Sequence, residues 1–157
     1  MAGDYMTAHD EPIIITAYGT PATQGSKRHI GKGIMVEAST RTRPWRETVK
    51  YAALETMHNR QRIDSATTIT AIFTFDRPQS HYRTGIHRTD LRAGVPRFPA
   101  TRNSGDIDKL LRCVFDAIVD GGVLRDDSLI VSVAARKVWA GWTLAIPGVR
   151  LTVQALP

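Results

Sequence analysis

Six aspartates and no glutamate lie within residues 104–133 of a chain whose formal net charge is +6. Carboxylates that lie within a few ångströms of each other repel, and each raises the pKa of the other unless a cation sits between them. A hard divalent ion such as Mg²⁺, held by a few carboxylates with water and phosphate oxygens, relieves that repulsion. Metal-assisted phosphate chemistry is therefore the first hypothesis for these residues. They are Asp106, Asp108, Asp116, Asp120, Asp126 and Asp127.

Local structure is expected to bring some of these carboxylates together. An apolar stripe predicts a helix that begins near Asp106 and ends at the glycine pair 121–122. Asp106 and Asp108 lie at its start, where free backbone N–H groups and the helix dipole favour carboxylates. Asp126 and Asp127 open the next strand, in which side chains alternate, so one of them can point back toward the helix start. The stripe consists of Ile107, Leu110, Leu111, Val114, Phe115 and Ile118.

The same aspartates also have an ordinary structural explanation. Aspartate commonly caps helices, and an Asp-Asp pair before a strand commonly forms a turn. Arg112 lies four residues from both Asp108 and Asp116, where an ion pair on a helix contributes only roughly 0.2–0.5 kcal/mol. From residue types and spacing alone, both explanations remain open.

Before the acidic segment, the chain predicts two strands and a helix. Residues 12–19 are β-branched and apolar and are typical of a central strand, and residues 66–75 alternate threonine with apolar side chains. Apolar residues at helical spacing predict a helix from about residue 44 to 60, with Thr40 or Thr42 as its N-cap. After the acidic segment, residues 128–140 and 148–156 predict two strands, which we expect to form an antiparallel pair.

Two basic segments separate these elements. Residues 20–40 contain three glycines and several cations and predict a loose basic hairpin. Residues 77–105 form a long loop that contains six arginines and one acid. This excess of positive charge favours a surface that binds phosphates. The three tryptophans, Trp45, Trp139 and Trp142, are interpreted as packing residues in preference to base-stacking platforms.

Length and composition indicate one ordinary globular domain over residues 1–157, with residues 1–10 as a frayed terminus. A single cysteine cannot form an internal disulfide, and it offers no zinc-binding spacing with the five scattered histidines. No apolar run is long enough to span a membrane, and the first residues lack the pattern of a signal peptide. We therefore expect a cytoplasmic protein without a membrane partner.

The segment "GDIDKLLRCVFDAIVDGGVLRDDSLIVSVAARK", residues 105–137, resembles the signature of RusA-type Holliday junction resolvases. Many of these enzymes are encoded by bacteriophages or prophages. The resemblance places the family's metal-binding aspartates at Asp106, Asp108 and Asp127, with Asp126 as the neighbouring acid. The lysine that is catalytic in the bacterial prototype is replaced here by Arg112, which keeps the positive charge but does not release its proton.

The resemblance implies an α+β fold, with a mixed sheet of about five strands, two helices packed on one face and a two-fold dimer. It implies an endodeoxyribonuclease dependent on Mg²⁺, or Mn²⁺ as a substitute, that resolves Holliday junctions by paired symmetric cuts in DNA recombination and repair. The resemblance places the protein in the cytoplasm of a bacterial cell or of a phage-infected host. The alternatives are a branched-DNA-binding module without catalysis and a nuclease specific for flaps or forks. The residues expected to contact DNA are Lys27, Arg28, Lys32, Arg83, Arg88, Arg92 and Lys109.

Overall fold

The computed structural model describes residues 11–25, 27–37 and 39–157, and the predicted frayed terminus at residues 1–10 lies outside them. Its architecture is α+β, as expected. The strands and helices are β1 (Ile13–Tyr18), β2 (Lys27–His29), β3 (Met35–Glu37), α1 (Thr42–Thr56), β4 (Thr67–Phe75), α2 (Ile107–Asp120), β5 (Ile130–Trp139) and β6 (Gly148–Ala155). Within the described residues they form a four-stranded sheet in the order β1-β6-β4-β5 and a separate two-stranded hairpin, β2-β3.

One face of the four-stranded sheet forms the core with both helices. Because side chains alternate along a strand, every second residue of β1, β4 and β6 points to this face. The two helices contact each other, and their apolar sides complete the same cluster. The buried residues include Ile13, Ile15 and Ala17 of β1, Ile69, Ala71 and Phe73 of β4, Val149, Leu151 and Val153 of β6, Val49 and Ala53 of α1, and Leu110, Val114 and Ile118 of α2.

The predicted pairing of the last two strands is wrong. β5 and β6 are not neighbours, because β4 lies between them and pairs in parallel with β5 and antiparallel with β6. The position of β1 is also wrong, since this strand is at an edge of the sheet and pairs only with β6 among the described strands. In β4, six of nine residues are buried, which is the burial that a central strand requires.

The helix predictions hold with shifted ends. α1 ends at Thr56, four residues before the predicted end, and its N-cap is Arg41, so neither predicted threonine caps it. The hydroxyl of Thr42 instead donates to the backbone carbonyl of Thr23, at 2.6 Å. This bond ties the loop after β1 to the start of α1. No helix in the described part of the chain is long and apolar enough to cross a membrane.

The basic loop, residues 77–105, is ordered by short turns and by its own arginines. It contains three 3-10 turns, at Gln79–His81, Gly85–His87 and Arg102–Ser104. Arg92 donates through Nε to the carbonyl of Tyr82 at 2.8 Å, and Arg77 donates to the carbonyl of Pro96 at 3.0 Å. These bonds fold the loop back on itself beside the end of β4.

Candidate active site

The acidic end of α2 is held in place by contacts to its preceding loop. Gly105 lies in the left-handed region at φ 73, and a Cβ there would collide with the methyl group of Thr23. The ammonium group of Lys137, on β5, donates to the Gly105 carbonyl at 2.8 Å and to the Ser104 hydroxyl at 3.0 Å. Glycine at this position and a lysine from the neighbouring strand therefore fix where Asp106 begins the helix.

Asp106 is the N-cap of α2, but its carboxylate makes no capping hydrogen bond and instead faces the ammonium group of Lys109 at 3.0 Å. The Asp106 side chain is 67% exposed. Asp108 lies half a turn further along the helix, in its first turn. Both carboxylates are at the positive end of the helix dipole, which stabilises their charge.

A cleft of about 310 Å³ brings together three of the residues predicted to act in catalysis. Asp108 and Arg112 line it from α2, and Asp127 lines it from the turn before β5. Asp106 is not in this lining. The remaining walls are Leu111, Phe115 and Asp116.

The pair Asp126 and Asp127 lies in a turn and does not open the strand as predicted. Asp127 begins a 3-10 turn that ends at Leu129, and β5 starts only at Ile130. The Asp126 carboxylate caps this turn by accepting the backbone N–H of Ser128 at 2.9 Å. Hydrogen bonds from the side chain and backbone of Ser128 lower the pKa of Asp126, so this carboxyl group stays ionised at acidity that would protonate an ordinary aspartate.

A polar network that the sequence analysis missed holds Asp116, which forms one wall of this cleft. The Gln24 side-chain amide donates to the Asp116 carboxylate, and its backbone N–H donates to the Lys109 carbonyl at 3.0 Å. The guanidinium of Arg46, on α1, donates to the Gln24 amide oxygen at 3.4 Å. Gln24 and Asp116 are 92 positions apart in the chain, so no local pattern could have paired them.

Arg46 also lines a second cleft, of about 290 Å³, together with Asp116, Asp120, Asp126 and Asp127. Asp116 and Asp127 therefore border both clefts. No ion pair among the described residues joins Arg112 to Asp116, so the i,i+4 pairing considered from the sequence is not formed. The two clefts together are lined by Arg46, Arg112 and five aspartates.

The model of one protein family, described as Endodeoxyribonuclease RusA, matches residues 19–154, which include every residue of both clefts. The chain belongs to the RusA family. A search of curated proteins found no match. Membership in the RusA family implies an endonuclease that acts on DNA and resolves Holliday junctions, and it confirms the resemblance seen in residues 105–137.

Within this RusA-family chain, the donor set suits a hard divalent cation. Asp108 and Asp127 supply carboxylate oxygens to one cleft, and Mg²⁺ in proteins is usually held by one or two carboxylates with water and substrate phosphates. No group of three or more carboxylate, imidazole or thiol side chains in the described residues could hold a metal ion alone. The assignment of Asp106, Asp108, Asp126 and Asp127 as metal ligands stays a prediction.

The residues predicted to contact DNA lie outside both clefts. Lys27 and Arg28 are exposed on β2, and Lys32 is exposed in the turn between β2 and β3. Exposed arginines of the loop that follows β4 supply a second group of cations. These are Arg83, Arg88 and Arg92.

Proposed function

We propose that the protein is a Mg²⁺-dependent, structure-specific endodeoxyribonuclease that resolves Holliday junctions by paired symmetric cuts in DNA recombination and repair. The observation that carries this proposal is the cleft shared by Asp108, Arg112 and Asp127 in a chain of the RusA family. Two carboxylates and one cation at a common surface are the groups that phosphodiester hydrolysis with a divalent metal requires.

We assign the metal to Asp108 and Asp127, with Asp106 and Asp126 close enough in sequence to assist. When bound, Mg²⁺ supplies a Lewis acid that neutralises charge on the scissile phosphate and lowers the pKa of nearby water. Mn²⁺ prefers the same oxygen ligands and is expected to substitute for it. The hydrogen bond from the Ser128 backbone N–H holds the Asp126 carboxylate in the turn beside Asp127.

In the proposed reaction, water adds to phosphorus and the bond from phosphorus to the 3′ oxygen breaks, leaving a 5′-phosphate and a 3′-hydroxyl. The phosphate gains negative charge as the new bond forms. Arg112 lies in the same cleft as the two carboxylates, and its guanidinium would stabilise that charge. Because a guanidinium does not release its proton, Arg112 acts through its charge and does not serve as a general acid.

The DNA would lie across the two exposed basic groups. Lys27, Arg28 and Lys32 on the β2-β3 hairpin and the arginines of the basic loop would bind backbone phosphates, which position a duplex without reading its sequence. Lys109 is bound to Asp106 at 3.0 Å, and we propose that it exchanges this carboxylate for a phosphate when DNA binds.

A two-fold dimer would place two such clefts on one junction. In support of this assembly, β5 is an edge strand within the described sheet, and Val131 and Val133 are 62% and 42% exposed. Val133 pairs with the buried Ile69 of β4 and points to the same face as Ala135 and Trp139, which contact the core. Val131 lies where the register between β4 and β5 shifts. Apolar side chains on the core-facing side of an uncovered edge strand favour a second copy as the cover.

The proposal is tested with 5′-labelled four-way junctions, flaps, forks and linear duplexes, each incubated with the protein in Mg²⁺ or in EDTA. Junctions should be cut at symmetric positions in Mg²⁺ only. The Asp108→Asn and Asp127→Asn variants should lose cutting by orders of magnitude and keep junction binding, because shape is retained while the charge that holds the metal is removed. Asp64→Asn, an exposed acid that pairs with Arg62, is the matched control.

Binding without cutting under every metal condition would indicate a branched-DNA-binding module instead. Faster cutting of flaps or forks than of junctions would indicate the other alternative nuclease. Parental cutting rates for Asp108→Asn would show that the metal assignment is wrong.

A further inference from the structure

An exposed aromatic pair lies where the basic loop meets the turn between β5 and β6. Phe98 belongs to the basic loop and Trp142 to the turn between β5 and β6, and the ring centroids are 5.8 Å apart with planes inclined by 61°. The two residues are 41% and 53% exposed, whereas Trp45 and Trp139 are each 3% exposed. The interpretation of the tryptophans as packing residues is confirmed for Trp45 and Trp139, whereas Trp142 lies at the surface.

One arginine is placed against both rings. The guanidinium carbon of Arg97 lies 5.6 Å from the centroid of Phe98 and 5.4 Å from the centroid of Trp142. Cation–π contact of this kind holds the guanidinium near the ring faces, while its N–H groups at the edges stay available to bind a phosphate. The cluster thus offers π surface and positive charge at one place.

The segment that carries the cluster is anchored. The Pro96 carbonyl, next to Arg97, accepts hydrogen bonds from Arg77 at 3.0 Å and from the indole of Trp139 at 3.1 Å. The guanidinium of Arg77 also lies 5.0 Å from the Trp139 ring centroid. Because a buried tryptophan and an arginine hold its backbone, the aromatic pair is presented on a fixed support.

The cluster is also close in the fold to the acidic end of α2. The carbonyl of Pro99, which follows Phe98, accepts a hydrogen bond from the hydroxyl of Ser104. Ser104 is two residues before Asp106 and is 4% exposed. This hydrogen bond therefore connects the segment that carries Phe98 to the residues that lead into α2.

We propose that Arg97, Phe98 and Trp142 form a stacking platform for an unpaired nucleobase of branched DNA. Stacking on aromatic side chains needs exposed ring faces and tolerates any base, and a nearby cation binds the adjoining phosphate. Six arginines against one acid in residues 77–102 make a polyanion the complementary partner for this surface. The inference rests on the proposed function, because it takes branched DNA as the ligand.

The test uses the full-length protein in EDTA and compares a fully paired duplex with the same duplex carrying a bulge of unpaired bases. One unpaired position holds 2-aminopurine, whose emission is quenched on stacking. The parent should bind the bulged DNA more tightly and quench the probe. Trp142→Ala should weaken that binding about 5- to 100-fold, the range that one base–aromatic stack supports, and leave duplex affinity unchanged.

Trp142→Phe should restore most of the affinity because it keeps an aromatic face. Ile86→Ala is the matched control, since Ile86 is 92% exposed in the basic loop that carries Phe98 and has no aromatic ring. Acrylamide quenching supplies a second measurement on the parent, because the exposed Trp142 should be shielded by bulged DNA while the two buried tryptophans change little.

The proposal is overturned if Trp142→Ala binds bulged DNA as the parent does, or if it loses duplex and bulged DNA equally. A change in self-association without a change in DNA binding would assign the surface to a second copy of the chain and would also overturn it. These outcomes are separable from failure of the proposed function, because none of them depends on strand cutting.

Discussion

Arg112 contributes the cation of the cleft that also contains Asp108 and Asp127. Its proposed role depends on charge, so Arg112→Lys should retain most of the cleavage rate. Arg112→Ala should lose about 10²-fold or more, the loss typical of removing one group that stabilises transition-state charge. Single-turnover cleavage of a labelled junction at saturating protein measures the cleavage rates of both variants. Full activity in Arg112→Ala would show that this residue is a surface cation without a role in cleavage.

Lys137 is predicted to act as a positioning residue through residues 104 and 105. Its two hydrogen bonds, at 2.8 and 3.0 Å, hold the loop from which Asp106 and Asp108 enter α2. Lys137→Met should lower the cleavage rate on the order of 10- to 100-fold, because a displacement of about 1 Å at catalytic groups has effects of that size.

The control for this prediction is Arg136→Met, which removes a neighbouring exposed cation that points to the other face of β5. Lys137→Met should also raise the Mg²⁺ concentration that gives half-maximal cutting, and Lys137→Arg should recover part of the loss. A purely structural role would lower the melting temperature and leave the metal dependence unchanged.

Residues that act together across long stretches of chain could not be paired from the sequence. The aspartates were found because six short acids in a basic chain form a visible cluster. Gln24 and Arg46 carry no such signal, since each becomes informative only when α1, α2 and the loop after β1 meet. The exposure of Trp142 could not be foreseen either, because composition does not show which tryptophans the core has room to bury.

At the scale of elements, the basic loop is expected to dominate the salt dependence of DNA binding. Each phosphate neutralised by a cation contributes about 0.9 to the slope of log affinity against log salt. Changing Arg83, Arg88 and Arg92 together to alanine should therefore flatten the slope by roughly two to three units. An unchanged slope in fluorescence anisotropy titrations would show that these three arginines do not contact DNA phosphates.

The start of β5 is the expected dimer contact. Val133→Asp should shift the protein toward the 17.4 kDa monomer in light scattering, because a carboxylate cannot be buried there without a partner. Ser132→Asp changes the adjacent exposed residue on the opposite face of the strand and should leave the mass unchanged. Equal masses for the parent and Val133→Asp would locate the dimer contact elsewhere.

The elements themselves were more predictable than their arrangement. The stripe of α2 specified that helix and its buried face, since helical periodicity is local and its apolar residues repeat every three or four positions. Pairing of strands is not local. β4 inserts between β5 and β6, although these two strands are adjacent in the sequence, because a buried strand must pair its backbone N–H and C=O groups on both edges.

In the whole molecule, paired cutting requires that the enzyme and the four-way junction share a two-fold axis. One cleft can cut one strand, whereas resolution of a four-way junction needs two strands of like polarity to be cut. A closed two-fold dimer would present two identical clefts related by the same axis as the junction. The chain would then act as a resolvase only as a dimer, and its monomer would act as a nickase.

The most direct test of this account uses a supercoiled plasmid that extrudes a cruciform, which is a four-way junction, incubated with the protein in Mg²⁺. Two cuts made within the lifetime of one complex give linear plasmid, whereas isolated cuts give nicked circles. We predict linear product that requires Mg²⁺ and is absent with Asp108→Asn. Nicked circles alone would contradict paired cutting, and intact plasmid under every condition would contradict the nuclease assignment itself.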